Sequence, residues 1–281
     1  MLHSNVRIEA SAARILLFEE VYPARAAQEQ ADRSRLAAFG TLARLNPLNR
    51  PKAETVELVK SELRYEPFWQ VQARREVDYL HDATYTVPVA NPHARRLVVA
   101  GQEFPVLSPE RKPSIELPVR EACLHRIEVA LFQDGMKREP RPGVLQRYVE
   151  RYKAVEQAQL DREGLLQPLL SSAAATQLAL SRLSSEAVDA SQINEDVITI
   201  DRLYLYYRPV FAFEYAWTTA GKTGVVEVDG LTGDVVEGGQ WFRDKLGAVM
   251  TRDLLVDIGA DAISMAIPGG AIAVKVINRL V

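Results

Sequence analysis

Histidine and cysteine are the side chains best suited to bind a metal or carry a proton near neutral pH. The chain has His3, His81, His93 and His125, which are scattered, and a single cysteine, Cys123. If the segment 123–125 is a strand, Cys123 and His125 share one face; that gives two soft ligands where structural zinc needs four. His81-Asp82 and His93 flank one predicted strand, and nothing in their spacing draws them together. A nucleophilic triad needs a serine or cysteine on a strained turn beside a base, and no Gly-x-Ser-x-Gly elbow is present. There is no Walker loop, and no Gly-x-Gly-x-x-Gly follows a strand. Asp229, Thr232 and Asp234 could mimic part of a calcium loop, but a complete loop needs more oxygen donors at alternating positions, so this stretch reads as a turn. The chain is therefore expected to be non-enzymatic, with no catalytic residue, no metal site and no cofactor.

Charge and composition narrow the partners. The 34 basic and 37 acidic residues give a net charge of -3, so no global field attracts nucleic acid or anionic lipid. Arg33, Arg35, Arg44, Arg50 and Lys52 lie in a run without a carboxylate, but Asn46, Pro47 and Asn49 mark much of it as a linker. Tyr204, Tyr206 and Tyr207 cluster as base-stacking rings would, yet no ribonucleoprotein-type motif surrounds them, and packing in a core is the expectation. One cysteine allows no intrachain disulfide, and the polar start Met1 to Glu9 lacks a secretory pattern, so a cytoplasmic location is expected.

The elements that must position everything else come from a repeat. Tyr65-Glu66-Pro67 is followed by alternating Trp69, Val71 and Ala73; Tyr207-Arg208-Pro209 is followed by Phe211, Phe213 and Tyr215. Period two predicts strands. Each run should lead to a second strand, through Tyr85, Val87 and Val89 in one copy and Val226 and Val228 in the other. The closing turns would be Asn91-Pro92 and Asp229-Gly230. Further strands are predicted through Ile115, Leu117 and Val119, and through Ile127, Val129 and Leu131. Helices are predicted over much of 8–45, over Glu54 to Leu63, from Val144 to about Leu170, and around Ala173 to Leu183.

The order Tyr-x-Pro strand, hairpin, Asp-Gly-x-Thr-Gly, clearest from Leu203 to Val236, resembles PepSY-type units, which are small cystatin-like folds with a helix packed on an antiparallel meander. The resemblance implies regulatory or ligand-binding roles, some linked to peptidase inhibition, and it transfers no site residues. The fold class expected is α+β, with two related helix-plus-antiparallel-meander units and added helical segments. The divisions would be a helical segment and linker (1–50), a first PepSY-like unit (51–135), a helical bridge (136–194), a second unit (195–243) and an apolar helical segment (244–281).

That last segment is the expected interaction surface. Thr251 would cap a helix with Leu254, Leu255, Ile258 and Met265 on one side and Asp253, Asp257 and Asp261 on another. Pro268-Gly269-Gly270 would break it before Ile272 and Val274. Neither half holds the ~20 apolar residues needed to cross a bilayer. Docking on the protein's own sheets, on a second copy or on an unknown protein partner is expected ahead of contact with a membrane surface. The functional expectation is a protein- or ligand-binding regulatory module. The alternative is a small-molecule binder or enzyme using a concave sheet face lined by Trp69, His81 or Glu214.

Overall fold

A computed structural model describes residues 5–40, 43, 50–107, 112–239, 250–251 and 275–277. It is an α+β protein dominated by two long strands, β3 (Val56–Pro88) and β9 (Gln192–Trp217), which run antiparallel side by side. The other edge of β9 carries, in turn, parallel β1 (Asn5–Glu9), parallel β2 (Ala13–Phe18) and antiparallel β10 (Lys222–Asp229), which leads to β11 (Val235–Glu237). The other edge of β3 pairs with β6 (Ser114–Asp134). A small hairpin, β4 (Arg96–Val99) and β5 (Gln102–Pro105), lies between β3 and β6 in the chain.

The helices are shorter than the sequence suggests. Residues 5–18 form β1, β2 and a 3-10 turn, because Val6 and Ile8, and then Ala13, Ile15 and Leu17, are buried at period two against β9. Helix α1 (Ala24–Ser34) follows Pro23 and buries Ala27 and Ala31. Of the helix expected from Glu54 to Leu63, only a 3-10 turn at Ala53–Thr55 is helical; Val56 to Leu63 begins β3, and its pairing with 211–217 of β9 overrides local propensity. The expected helical bridge is only α2 (Val144–Arg151). The chain then forms β7 (Ala154–Gln157) against β2, and β8 (Gln159–Leu160). Helix α3 (Ser172–Ser184) is separate, with the Ser171 side chain accepting from the Ala174 amide.

The two predicted strands of the first copy are one. Trp69 through Val87 belong to β3 without a break, and Ile115 through Leu131 belong to β6, so Asn91-Pro92 lies in the tip of a long ribbon. Both helices α1 and α3 cover the same sheet face. Trp69, Val71, Leu203 and Leu205 pack with Ala175 and Ala179 of α3, while Phe211, Phe213, Tyr215 and Val226 pack with Ala27 and Ala31 of α1. Trp69 is sealed there, its Nε1 donating to the Leu170 carbonyl at 2.8 Å. Arg75 ties the end of α3 to the sheet, with a bidentate pair to Asp196 at 2.9 Å and donations to the carbonyls of Leu183 and Glu186.

Of the C-terminal segment, β12 (Met250–Thr251) pairs with β8, so Thr251 is a strand residue and not a helix cap; β13 (Lys275–Ile277) adds in parallel beside β1. Leu254, Leu255, Ile258, Met265, Ile272 and Val274 lie outside the described residues. No helix among the described residues is long and apolar enough to cross a membrane.

Candidate functional site

The two Tyr-x-Pro segments meet face to face. In the β3–β9 ladder Tyr65 opposes Pro209, Glu66 opposes Arg208 and Pro67 opposes Tyr207. Because side chains alternate across a strand, the residue between each tyrosine and proline points away from α1 and α3. Glu66 and Arg208 thus meet on the opposite sheet face, with Arg208 Nη2 2.7 Å from Glu66 Oε2.

The end of each hairpin returns to this point. Strand β6 ends with Asp134 opposite Phe68, and β10 ends with Asp229 opposite Val210. A glycine follows each aspartate. Gly135 donates to the Pro67 carbonyl and Gly230 to the Pro209 carbonyl, both at 2.9 Å. The carbonyl of Gly135 accepts from Leu169 and Leu170, just before α3; that of Gly230 accepts from Val21 and Tyr22, just before α1. A β-carbon at either glycine would lie within 3 Å of the proline it contacts, so neither site has room for a side chain. Each aspartate also bonds its own turn through Oδ1, Asp134 to the Met136 amide at 2.7 Å and Asp229 to the Leu231 amide at 2.8 Å.

Around Glu66 the side chains form a buried ion network. Glu66 Oε1 accepts from Arg64 Nε at 2.9 Å and Nη2 at 2.6 Å, and Oε2 accepts from Arg138 and Arg208. Arg64 also pairs with Glu227 at 2.7 Å, Arg138 with Asp134 at 2.9 Å, and Arg208 with Asp229. Tyr148 of α2 donates to Asp229 Oδ2 at 2.6 Å. Burial alone would raise the Glu66 carboxyl pKa; the charges of Arg208, Arg64 and Arg138 outweigh that and pull it down to about 2. Burial pushes the Tyr148 hydroxyl up, against the pull of Arg208 and with the help of Asp229.

A cavity of about 420 Å3 opens over this network, between α2, the strap 138–141 and β10–β11. Arg138, Arg208, Glu227 and Asp229 line it together with Val144, Leu145, Val210, Val235 and Val236, and Arg141 and Arg147 also reach it. A second hollow of about 570 Å3, with Phe132, Gln133 and Lys137 in its wall, shares Asp134 and Arg138 with the first.

The residues singled out from sequence fall elsewhere. Trp69 is under α3, and Glu214 is buried on the other sheet face; His81 lies on the ribbon with Nδ1 3.1 Å from the Asp189 carbonyl. These three do not converge. Cys123 and His125 do share a face of β6, and among the described residues no three of His, Cys, Asp and Glu come together as a metal group. Sequence reasoning passed over the buried network, although opposite charges at the middle position of the two Tyr-x-Pro segments are a legible sign of it. Compared with protein-family models, curated proteins and solved structures, the chain has no match.

Proposed function

We propose that this chain is a non-enzymatic binding and regulatory module built from two PepSY-like units with exchanged helices. In this reading the first unit runs from α1 through β3 and β6 to Asp134-Gly135, and the second from α3 through β9 and β10 to Asp229-Gly230. Each helix covers the other unit's hairpin, and Ala27 and Ala31 stand to α1 as Ala175 and Ala179 stand to α3. The observation that carries the reading is the matched bonding of the two Asp-Gly turns to the two Tyr-x-Pro prolines. A single half-buried cysteine suits a reducing compartment such as the cytoplasm.

The cavity over Glu66 and Arg208 is the binding site in this proposal, and its ligand is a peptide segment of a partner protein. Charges of both signs on the floor and valines on the walls suit a chain with amides, charged side chains and an apolar anchor. Glu66 stays ionised at physiological pH and is saturated with arginine donors, which favours binding over proton transfer. Peptide display against the whole protein tests this. Selected peptides should bind with an affinity that falls about tenfold or more when Val236, an exposed wall residue, becomes arginine. Peptides that bind Val236→Arg as well as the wild type would place the site elsewhere.

A further inference from the structure

Strand β6 pairs with β3 along one edge only. Among the described residues the other edge pairs with no strand beyond a single bridge from Leu107 to Ser114, so from Glu116 to Phe132 it presents an open row of amides and carbonyls. The direction of that row is fixed by the bridge. Ser114 exchanges both of its backbone bonds with Leu107, at 2.7 and 3.2 Å, while the Pro113 carbonyl turns back to Val89. The register of β6 against β3 has no bulge, so alternate residues from Ser114 onward, namely Glu116, Arg120, Ala122, Leu124, Arg126 and Glu128, direct their backbone outward. Pro118 shares this parity, and its missing N–H therefore costs the β3 ladder nothing. An open edge of this length is a template for pairing with another strand.

We propose that the occupant is a second copy of this chain, with two β6 strands pairing antiparallel about a two-fold axis at Leu124, from Glu116 to Phe132. Leu124, 58 % exposed, then packs on its own copy. In this register Arg120, which also holds Asp82 of its own chain, faces Glu128 of the second copy, and the pair occurs twice. Glu128 is exposed and has no ion pair among the described residues; Arg74, its neighbour across the ladder, is bonded to Asp201. On the other face Leu117 meets Leu131 and Val119 meets Val129, so apolar faces apolar. Neighbouring registers lack this match: with Cys123 on the axis Arg120 and Arg126, already held by Asp82 and Glu76, would oppose each other, and with His125 on the axis Glu116 would oppose Asp134, which Arg138 holds. Centring on Leu124 also gives the fullest overlap of the strand, whose ends are Ser114 and Asp134.

Sedimentation velocity on the whole chain, with a register-specific cross-link, tests the dimer. The register sets Cys123 opposite residue 125 of the second copy in a non-hydrogen-bonded pair, where Cα atoms lie about 4.5 Å apart and a disulfide can close. Oxidised His125→Cys should therefore run as a covalent dimer, whereas the wild type and His125→Cys/Cys123→Ser should not. Leu124→Asp places two carboxylates on the axis at an exposed position, so it should keep its secondary structure by circular dichroism and weaken the dimer about tenfold or more. Wild-type protein that sediments at the mass of one chain at tens of micromolar overturns the proposal. So does a dimer untouched by Leu124→Asp, or one that His125→Cys fails to lock.

Discussion

Replacing Glu66 with glutamine should remove the centre of the buried network while leaving its shape. Glu66 is fully buried and accepts four bonds from three arginines. An amide would turn an N–H toward one of these donors, and the arginines would keep counter-charges such as Glu227, Asp134 and Asp229 but lose the carboxylate they share. Two routes give the size of the loss. A carboxyl lowered from 4.5 to about 2 by its folded surroundings contributes about 3 kcal/mol of stability at neutral pH. Breaking a buried ion pair by removing one partner typically costs about 3–5 kcal/mol, which agrees. Unfolding in urea at pH 7 should show a deficit of about 3 kcal/mol, and the melting temperature should fall by roughly 8 °C.

The pH dependence makes the test specific. Because the folded pKa is depressed, the stabilisation is complete above the unfolded value of 4.5 and is lost as pH falls toward 2. The gap between wild type and Glu66→Gln should therefore be constant from pH 7 to about 5 and narrow below that. A cycle with Arg208→Gln should show coupling of more than about 1 kcal/mol, since the two side chains are in contact. A deficit below about 1 kcal/mol, or one that does not change with pH, would refute the claim that these arginines stabilise the Glu66 carboxylate.

The glycines of the two Asp-Gly turns should respond alike. Gly135→Ala would set a β-carbon 2.6 Å from the Pro67 oxygen, and Gly230→Ala one 2.8 Å from the Pro209 oxygen, so each should cost about 2 kcal/mol or more in urea unfolding. A neutral result at one and a large loss at the other would break the correspondence between the turns. Alkaline titration offers a further check, because burial pushes the Tyr65 and Tyr206 hydroxyls up to about 12 and that of Tyr148 higher still. The unfolded chain gives up these protons near pH 10, so stability should decline as pH rises above that value. Tyr148→Phe should lessen the decline while costing about 1 kcal/mol at pH 7 through the lost bond to Asp229. An unchanged alkaline limb would show that Tyr148 ionises freely.

What the sequence determined by itself was local. Period-two runs after Pro67 and Pro209 fixed strands there, with Trp69, Val71, Phe211 and Phe213 on a buried face, because alternation on a half-covered sheet leaves a direct mark. Asp229-Gly230 was readable as a turn for the same kind of reason, since Asp229 Oδ1 bonds the amides of its own neighbours Leu231 and Thr232. Tertiary structure decided which residues those elements meet. Asp134-Gly135, and not Asn91-Pro92, is the turn that bonds Pro67 as Asp229-Gly230 bonds Pro209, and a long ribbon between Pro67 and Asp134 hides that match from any reading by spacing. Residues 5–9, 13–18 and 56–63 became strands because β9 offers both its edges to pair with, a contact far away in the chain. The ion network gathers Arg64 and Glu66 from β3, Arg138 from the strap, Arg208 from β9, and Glu227 and Asp229 from β10. Apart from the opposite charges of Glu66 and Arg208 in the two Tyr-x-Pro segments, each of these side chains reads from sequence as an ordinary solvated charge. Only when the sheet brings them together out of water does each become the other's obligatory partner, because a buried charge without one would cost more than the fold could bear.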